Sequence, residues 1–394
     1  MKKENKFLDC IKIILVEVVA FFLFLFFLKV ESIWTVIVAI LLVALIYFLS
    51  KIYKEKFQAL LEPFSKYQNF AIGVLFILLV LYPIISPLMI VHSTYWTLIL
   101  IQTGIYIMIA LGLNFQLGST GMMNLATAAF YGIGAYTAGL LALKLGWSAL
   151  ITIPLAGLAA AFAGLLLVIP IYKTKGHYLA LVTLAFGFML VLAADNIEII
   201  GGPQGLKNIP PVNIFGYSFL TNIGGLHFYT NYYYLVLALL GITILVFARL
   251  FNSWVGLTSA YIRDDELAAK GCGINTNFRK LIVFVVGNFF MGVAGALYAH
   301  MIGFISPPNF QFAQSLLIVA IVIIGGMDNI LGVIIASILL VVFPEKLRVV
   351  TEYRIFLYGI LLVVTLILRP RGILPFGPRK YDSSILKFAR KGGS

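Results

Sequence analysis

Two stretches of this chain carry residue types that could do chemistry. The first is Trp254-Val-Gly-Leu-Thr-Ser-Ala-Tyr-Ile-Arg-Asp-Asp-Glu-Leu-Ala-Ala-Lys-Gly-Cys-Gly-Ile-Asn275. Asp264, Asp265 and Glu266 open a helix-forming run, and Lys270 closes it. Acids in the first turn and a cation in the last complement the helix dipole. Gly271 or Gly273 can end the run in a left-handed cap, so a short helix is expected over 266–270. Such an element suits docking of a soluble partner, but it is equally a solvated loop on a membrane surface. The second stretch is Gly118-Ser-Thr-Gly-Met-Met-Asn-Leu-Ala-Thr-Ala-Ala-Phe-Tyr-Gly-Ile-Gly-Ala-Tyr136, which offers Ser119, Thr120, Asn124, Thr127 and Tyr131 without a charge. Gly118 and Gly121 permit irregular backbone, which is tolerated at membrane depth where it lines a cavity. That surface suits an apolar solute whose own charges cancel. The alternative is a tight helix junction with incidental polarity.

Other chemistry is missing from the pattern. No carboxylates pair in apolar surroundings, no nucleophile elbow occurs, and no Gly-x-x-x-x-Gly-Lys-Ser/Thr phosphate loop is found, so ATP binding by a P-loop is not expected. Cys10 and Cys272 are too few and too far apart for a disulfide framework or metal cluster. His92, His177, His227 and His300 lack ligand spacing. No cofactor and no metal are therefore expected, and the chain does not read as an enzyme. Glu17 is the one acid well inside an early apolar run; with Lys12 nearby, it reads as reaching the interface.

The elements that must position these stretches are membrane spans. The 394 residues are 62% hydrophobic and 11% charged, with mean hydropathy +1.04, far from soluble domains. Between Phe70 and Leu143 there is no Asp, Glu, Lys or Arg, as expected where a charge at mid-bilayer costs a few kcal/mol or more. Apolar segments fall at 11–28, 33–49, 69–90, 97–113, 124–143, 149–171, 178–199, 232–250, 281–301, 315–326, 330–344 and 355–368. The pair at 315–326 and 330–344 is short, separated by Gly325-Gly-Met-Asp-Asn329, and reads as two tilted spans or a broken pair. The predicted fold is an all-α integral membrane protein, a polytopic helical bundle of about 11–12 transmembrane segments.

The net charge of +13 sits in short segments between the spans. That is the positive-inside pattern and not a nucleic-acid surface. Lysines at the N-terminus, at 51–66 and at 173–175, the basic residues of 249–280 and the basic C-terminal tail place both termini in the cytoplasm, while loop 200–231, with only Lys207 charged, faces out. The first apolar run is too long for a cleaved signal and is expected to be retained. Residues 1–68 read as a two-span extension with a basic linker, 69–380 as the main transmembrane domain and 381–394 as a cytoplasmic tail. From Gly104 onward Gly and Ala are frequent. The pairs Ala128/Gly132, Ala135/Gly139, Ala160/Gly164 and Gly292/Ala296 read as helix-packing contacts. A weak echo between 130–136 and 290–298 hints at a duplicated half-bundle.

Ordered blocks then bring a family into view. Gly112-Leu-Asn114, Gly118-Ser-Thr-Gly121, Ala128-Ala-Phe-Tyr-Gly-Ile-Gly-Ala-Tyr-Thr137, Lys175-Gly-His-Tyr-Leu-Ala-Leu-Val-Thr-Leu-Ala-Phe-Gly187, Gly201-Gly-Pro-Gln-Gly-Leu206, Arg263-Asp-Asp-Glu-Leu-Ala-Ala-Lys-Gly-Cys-Gly-Ile-Asn275, Gly292-Val-Ala-Gly-Ala-Leu-Tyr-Ala299, Gly303-Phe-Ile-Ser-Pro307 and Ile324-Gly-Gly-Met327 follow one another over about 104–372. Together they resemble the permeases of branched-chain amino acid ABC importers, of the LivM type within the LivHM pair. The resemblance implies an ABC importer permease fold in a bacterial inner membrane. It also implies a second, LivH-like permease, two ATP-binding cassette subunits and an extracytoplasmic substrate-binding protein. It places Arg263, Asp264, Asp265, Glu266, Ala268, Ala269 and Gly273 in the ATPase-contacting loop and favours the docking reading of that stretch. The outer loops 200–231 and 302–314 would meet the binding protein.

The candidate solute path comprises Asn114, Ser119, Thr120, Asn124, Thr127, Tyr131 and Thr183. Pro203-Gln204, where the family often has an acid, and Met122-Met123, where it is more polar, depart from the pattern and leave the exact solute open. Urea or a short amide is the rival cargo. A sodium-coupled secondary carrier is the rival class, since a charge-free core argues against proton coupling but not against sodium. A membrane scaffold would not carry these ordered blocks.

Overall fold

The computed structural model describes residues 2–30, 63–64, 67–171, 177–214, 216–222, 227–346, 363 and 372–374. The expected span at 33–49, all of that at 355–368 except residue 363, most of the basic linker, Lys173 and Lys175, and the tail 381–394 lie outside the described residues. Within them the chain is helical almost throughout. The helices are α1 (Lys2–Lys29), α2 (Gln68–Met89), α3 (Ser93–Thr120), α4 (Thr127–Leu145), α5 (Ala149–Ile171), α6 (His177–Asn196), α7 (Tyr229–Phe251), α8 (Trp254–Asp264), α9 (Glu266–Gly271), α10 (Thr276–Ile302), α11 (Phe312–Gly325) and α12 (Ile330–Lys346). Nine helices among the described residues are long and apolar enough to cross a membrane, as expected of a polytopic bundle. Four two-residue strands sit in the connections: β1 (Leu206–Lys207), β2 (Asn213–Ile214), β3 (Tyr217–Ser218) and β4 (Phe304–Ile305).

The chain divides into two compact units. One comprises Met1–Leu100, Asn222–Thr230 and Phe343–Thr351. Here Lys346 Nζ donates to the Leu28 and Val30 carbonyls (2.7 and 3.1 Å), satisfying acceptors at the end of α1, and lies 4.4 Å above the Trp96 ring. A cation is favoured at a helix C-terminus and over an indole face. The outer flank of α1 is apolar and exposed at Leu15, Leu23 and Phe26, as a lipid-facing helix should be. Glu17 lies eight residues inside the apolar window that begins at Asp9, roughly 12 Å along the helix. Its Oε2 is buried without a partner among the described residues.

The second unit, Ile101–Thr221, Asn231–Val342 and Glu352–Ser394, holds both stretches of interest. Its core is α10 packed on α4 and α5. Burial follows: the spans of α4 and α10 are 61% and 67% buried, whereas those of α6 and α7 are 17% and 22%. Small residues make the close approach possible. A methyl added at Gly134 would lie 2.1 Å from the Gly292 carbonyl oxygen, and one at Gly295 would lie 2.0 Å from that of Tyr131. Ala128, Ala135, Ala160 and Ala296 are buried, as expected for packing positions.

The short segments around the Gly-Gly-Met-Asp-Asn sequence form two separate helices, α11 and α12, joined by a turn with Gly326 at φ +105° and Asp328 at φ +69°. Across it Gly325 and Gly332 meet backbone to backbone. On the other side of the unit, β1 pairs antiparallel with β4, Leu206 opposite Ile305. The loops at 200–231 and 302–314 are thus physically joined. A Cβ at Gly205 (φ +69°) would sit 2.1 Å from the Ile305 carbonyl oxygen, so the last glycine of the Gly201–Gly205 motif is required by the pairing. His300 buttresses it, with Nδ1 2.8 Å from the Pro210 carbonyl and Nε2 2.7 Å from Thr152 Oγ1.

Candidate functional site

The segment between α7 and α10 is built from local signals. Ser253 Oγ accepts from the Val255 N–H (3.2 Å) and starts α8. Asp265 is extended at φ −156° and breaks the helix; its carboxylate accepts from Leu267 and Ala268 N–H (2.8 and 3.0 Å) and so starts α9. This is standard N-cap geometry. Asp264 therefore ends α8 and does not open α9, and the three consecutive acids do not share one first turn. The α9 helix runs through Gly271, and the left-handed residue that follows is Gly273 at φ +79°. Asn275 caps α10 through the Phe278 N–H (3.1 Å).

Glu266 faces inward to its own chain. Its two carboxylate oxygens pair with Lys280 Nζ at 2.7 Å and Lys270 Nζ at 3.2 Å, stapling α9 to the start of α10. Burial pushes this carboxyl up, but the Lys280 and Lys270 ammoniums outweigh that and hold it below its ordinary value. What α9 offers outward is Leu267, 72% exposed, with Ala268, while Ala269 is buried beneath. The result is a rigid, apolar-tipped knob with a charged base.

The second stretch is entirely different. After α3 the backbone leaves helical geometry at Gly121 (φ +71°) and resumes at Thr127. The gap is held by buried side chains from distant elements. Asn124 Nδ2 donates to Gln116 Oε1 (2.9 Å), Asn124 Oδ1 accepts from the Ala126 N–H (2.9 Å), and Gln116 Nε2 donates to Asn288 Oδ1 and the Phe284 carbonyl (both 3.0 Å). Thr183 Oγ1 on α6 accepts from the Leu125 N–H, and Ser315 Oγ on α11 from the Ala128 N–H, each at 3.0 Å. Helix starts leave N–H groups without partners, and here two other helices, α6 and α11, supply acceptors.

The seven proposed path residues therefore separate. Asn124 and Thr183 act together at the break. Thr120 turns back onto the Gln116 carbonyl (2.7 Å). Asn114 Oδ1 accepts from the Asp328 N–H (2.7 Å) and Ser119 Oγ donates to Asp328 Oδ1 (3.2 Å). Tyr131 lies in an aromatic cluster with Tyr298 and Phe310, ring centroids 5.6 and 5.4 Å away. Thr127 is buried at the first turn of α4, and its Oγ1 has no partner among the described residues, so it retains hydrogen-bonding capacity.

Sequence reading passed over Gln116, Asn288, Ser315 and Asp328. A signal existed for Asp328, an acid isolated inside a long apolar region. Gln116 and Asn288 carry no local mark that separates them from incidental polarity. No His, Cys, Asp or Glu cluster able to hold a metal occurs among the described residues.

A bundle of apolar helices pinned through small residues, broken at a buried polar junction and bearing a capped, exposed knob in a connecting segment, defines a polytopic helical membrane protein. Comparison with known proteins makes the class specific: residues 95–366 match the family model described as branched-chain amino acid transport system / permease component, and the chain belongs to that family. It is 40% identical over 291 residues to the high-affinity branched-chain amino acid transport system permease protein LivM of Salmonella typhimurium, covering 70% of this chain and 68% of the relative. The Escherichia coli LivM is 40% identical over 290 residues, covering 69% of this chain and 68% of the relative. The LivH protein of Salmonella typhimurium is 24% identical over 288 residues, covering 68% of this chain and 91% of the relative. No solved structure matches the chain.

Proposed function

We propose that this chain is the LivM-type half of a permease pair that carries branched-chain or similar apolar amino acids inward across a bacterial cytoplasmic membrane. Both termini and the 254–280 segment would face the cytoplasm. Two ATP-binding cassette subunits would drive it, one of them seated on α9. A LivH-like permease would complete the pathway, and an extracytoplasmic binding protein would deliver solute to the joined outer loops. The chain itself would catalyse no covalent step; its helices would rock so that the path opens alternately to each side.

The observation that carries this reading is the α8–α9 knob. A six-residue helix is too short to be stable alone, yet this one is capped by Asp265, stapled by Glu266 to Lys280 and tipped by an exposed Leu267. A passive solvated loop needs none of that. The polar break supports a zwitterionic cargo, since it offers amides and hydroxyls in place of a fixed charge. LivM relatives named for branched-chain amino acid transport favour that cargo over urea.

The test is reconstitution. The chain, its partner permease, the two ATPases and the binding protein should accumulate labelled leucine only with ATP, with alanine competing and urea not. The chain alone in vesicles should be inert under a sodium or proton gradient. Accumulation by the lone chain under such a gradient would instead establish a secondary carrier.

A further inference from the structure

A cavity of about 250 Å³ lies wholly within the first compact unit. The end of α2, the first turn of α3 and the segment that starts α7 wall it. Pro83 and Pro87 withhold two N–H groups from the α2 ladder on one side. Between them Ser86 lines the cavity; it is 1% exposed, and its Oγ has no hydrogen-bond partner among the described residues. The Tyr82 hydroxyl lies near it, outside hydrogen-bond geometry. A helical hydroxyl ordinarily turns back to the carbonyl one turn earlier, as Thr97 does to Ser93 and Ser337 to Val333, both at 2.8 Å. Ser86 does not, and a buried hydroxyl left unpaired is costly. Its donor is therefore free for an occupant of the cavity.

The other walls select that occupant's charge. Ser93 and Thr94 open α3, and Tyr229 and Thr230 open α7, so the first turns of helices of 28 and 23 residues border one cavity. Helix starts carry partial positive charge and N–H donors, and favour anions. His227 Nδ1 accepts from the Tyr229 N–H at 3.4 Å, which leaves the hydrogen of the neutral ring on Nε2 as a further donor. Among the described residues the lining holds no carboxylate, lysine or arginine. Positive helix ends and neutral donors without a fixed charge suit an oxyanion. The cavity also lies at a membrane interface, since the α2 span ends at Met89 and the α3 span begins at Ser93. Beside it Leu88 and Val91 are 84% and 88% exposed, which gives acyl chains a surface next to the donors.

We propose that this cavity binds the phosphate group of a membrane phospholipid, with Ser86 and the first turn of α3 as donors. The site has no fixed cation, so it reads the phosphodiester and not the net charge of the headgroup. Phosphatidylglycerol and phosphatidylethanolamine should therefore bind alike.

The full chain in detergent is titrated with each of these lipids and with a phosphate-free monoglucosyl diacylglycerol of the same chains, and binding is read by native mass spectrometry. The two phospholipids should be retained with affinities within about threefold of each other, and the glycolipid at least about tenfold more weakly. Ser86→Ala should weaken phospholipid binding at least about tenfold, the loss of one hydrogen bond to a charged group. Thr94→Val keeps the shape of the cavity edge and should weaken it by a smaller factor; it decides if Ser86→Ala does not fold. Glycolipid held as tightly as phospholipid overturns the proposal, as does unchanged phospholipid retention in both variants. Inorganic phosphate separates the sources of the anion. Saturable phosphate binding that Ser86→Ala abolishes, without any preference for phospholipid over glycolipid, overturns the lipid assignment in favour of a soluble oxyanion. The measurement needs neither ATP nor partner subunits, so its failure leaves the transport reading standing.

Discussion

The knob at 254–280 and the break at 121–126 are both polar interruptions in an apolar chain, but they are held in opposite ways. In the knob each cap is a near neighbour in sequence: Ser253 for Val255, Asp265 for Leu267 and Ala268, Asn275 for Phe278. In the break most partners come from afar. Gln116 reaches Asn288, Leu125 reaches Thr183, and Ala128 reaches Ser315. The knob is a preassembled part, its caps and its Glu266 pairings all supplied within residues 253–280. The break exists only as long as several helices stay in place, so moving any of those helices reshapes it. On the proposed function, that would be the division of labour of a machine driven at one end and open to solute at the other.

The comparison can be broken most severely at the helix contacts beneath the break. Gly295→Leu forces a side chain onto the Tyr131 carbonyl oxygen, 2.0 Å from the position of a Cβ. Overpacking of that kind costs about 1–3 kcal/mol or more. The expected result is loss of a monodisperse protein on size exclusion in detergent. Next comes Asn124→Leu, which removes acceptor and donor together and orphans Gln116 Oε1 and the Ala126 N–H. Leaving buried polar groups unpaired costs about 1–3 kcal/mol each, so the midpoint of thermal unfolding should fall by several degrees and transport should be lost with it.

A smaller effect should follow Asp265→Ala, which removes one N-cap worth about 1 kcal/mol. Here the global unfolding midpoint should barely move while ATPase co-purification weakens. If Asp265→Ala unfolds the whole chain as Asn124→Leu does, the contrast between the two regions fails. The least effect is in pH. The Glu266 carboxyl is held low in the folded chain, so its staple to Lys280 is fully present above the ordinary carboxylate pKa of about 4.3 and is lost as pH falls through the depressed folded value. For a partly exposed pair this amounts to no more than about 1 kcal/mol. Hydrogen exchange over 266–280 should quicken in that acid window, and Glu266→Gln should show the quickened rate already at neutral pH.

The knob was largely legible because its signals are local. Acids, a lysine and glycines at fixed offsets specify a short capped helix wherever it lies in the fold. The expected 266–270 differs from α9 by one residue, and the error over Asp264 arose because a single extended residue, Asp265, can end one helix while starting the next. The inward pairing of Glu266 was not legible, since Lys280 lies on another helix. The break was half legible. Gly118, Gly121 and the hydroxyls marked the place, but they could not show whether each polar group faces solute, caps a neighbour or braces a turn.

By itself the sequence determined that this is a membrane protein, where most of its helices run, which family it belongs to and where a short capped helix interrupts the spans. Hydrocarbon excludes charge, and caps act within a few residues, so both leave marks along the chain. Only the tertiary structure decided that Asn114 and Ser119 brace a buried aspartate, that Thr183 and Ser315 finish a helix they do not belong to, and that Arg263 reaches from α8 to the end of α3. Those assignments depend on which helices lie side by side, and a pairwise contact between residues more than fifty positions apart has no local physical signature.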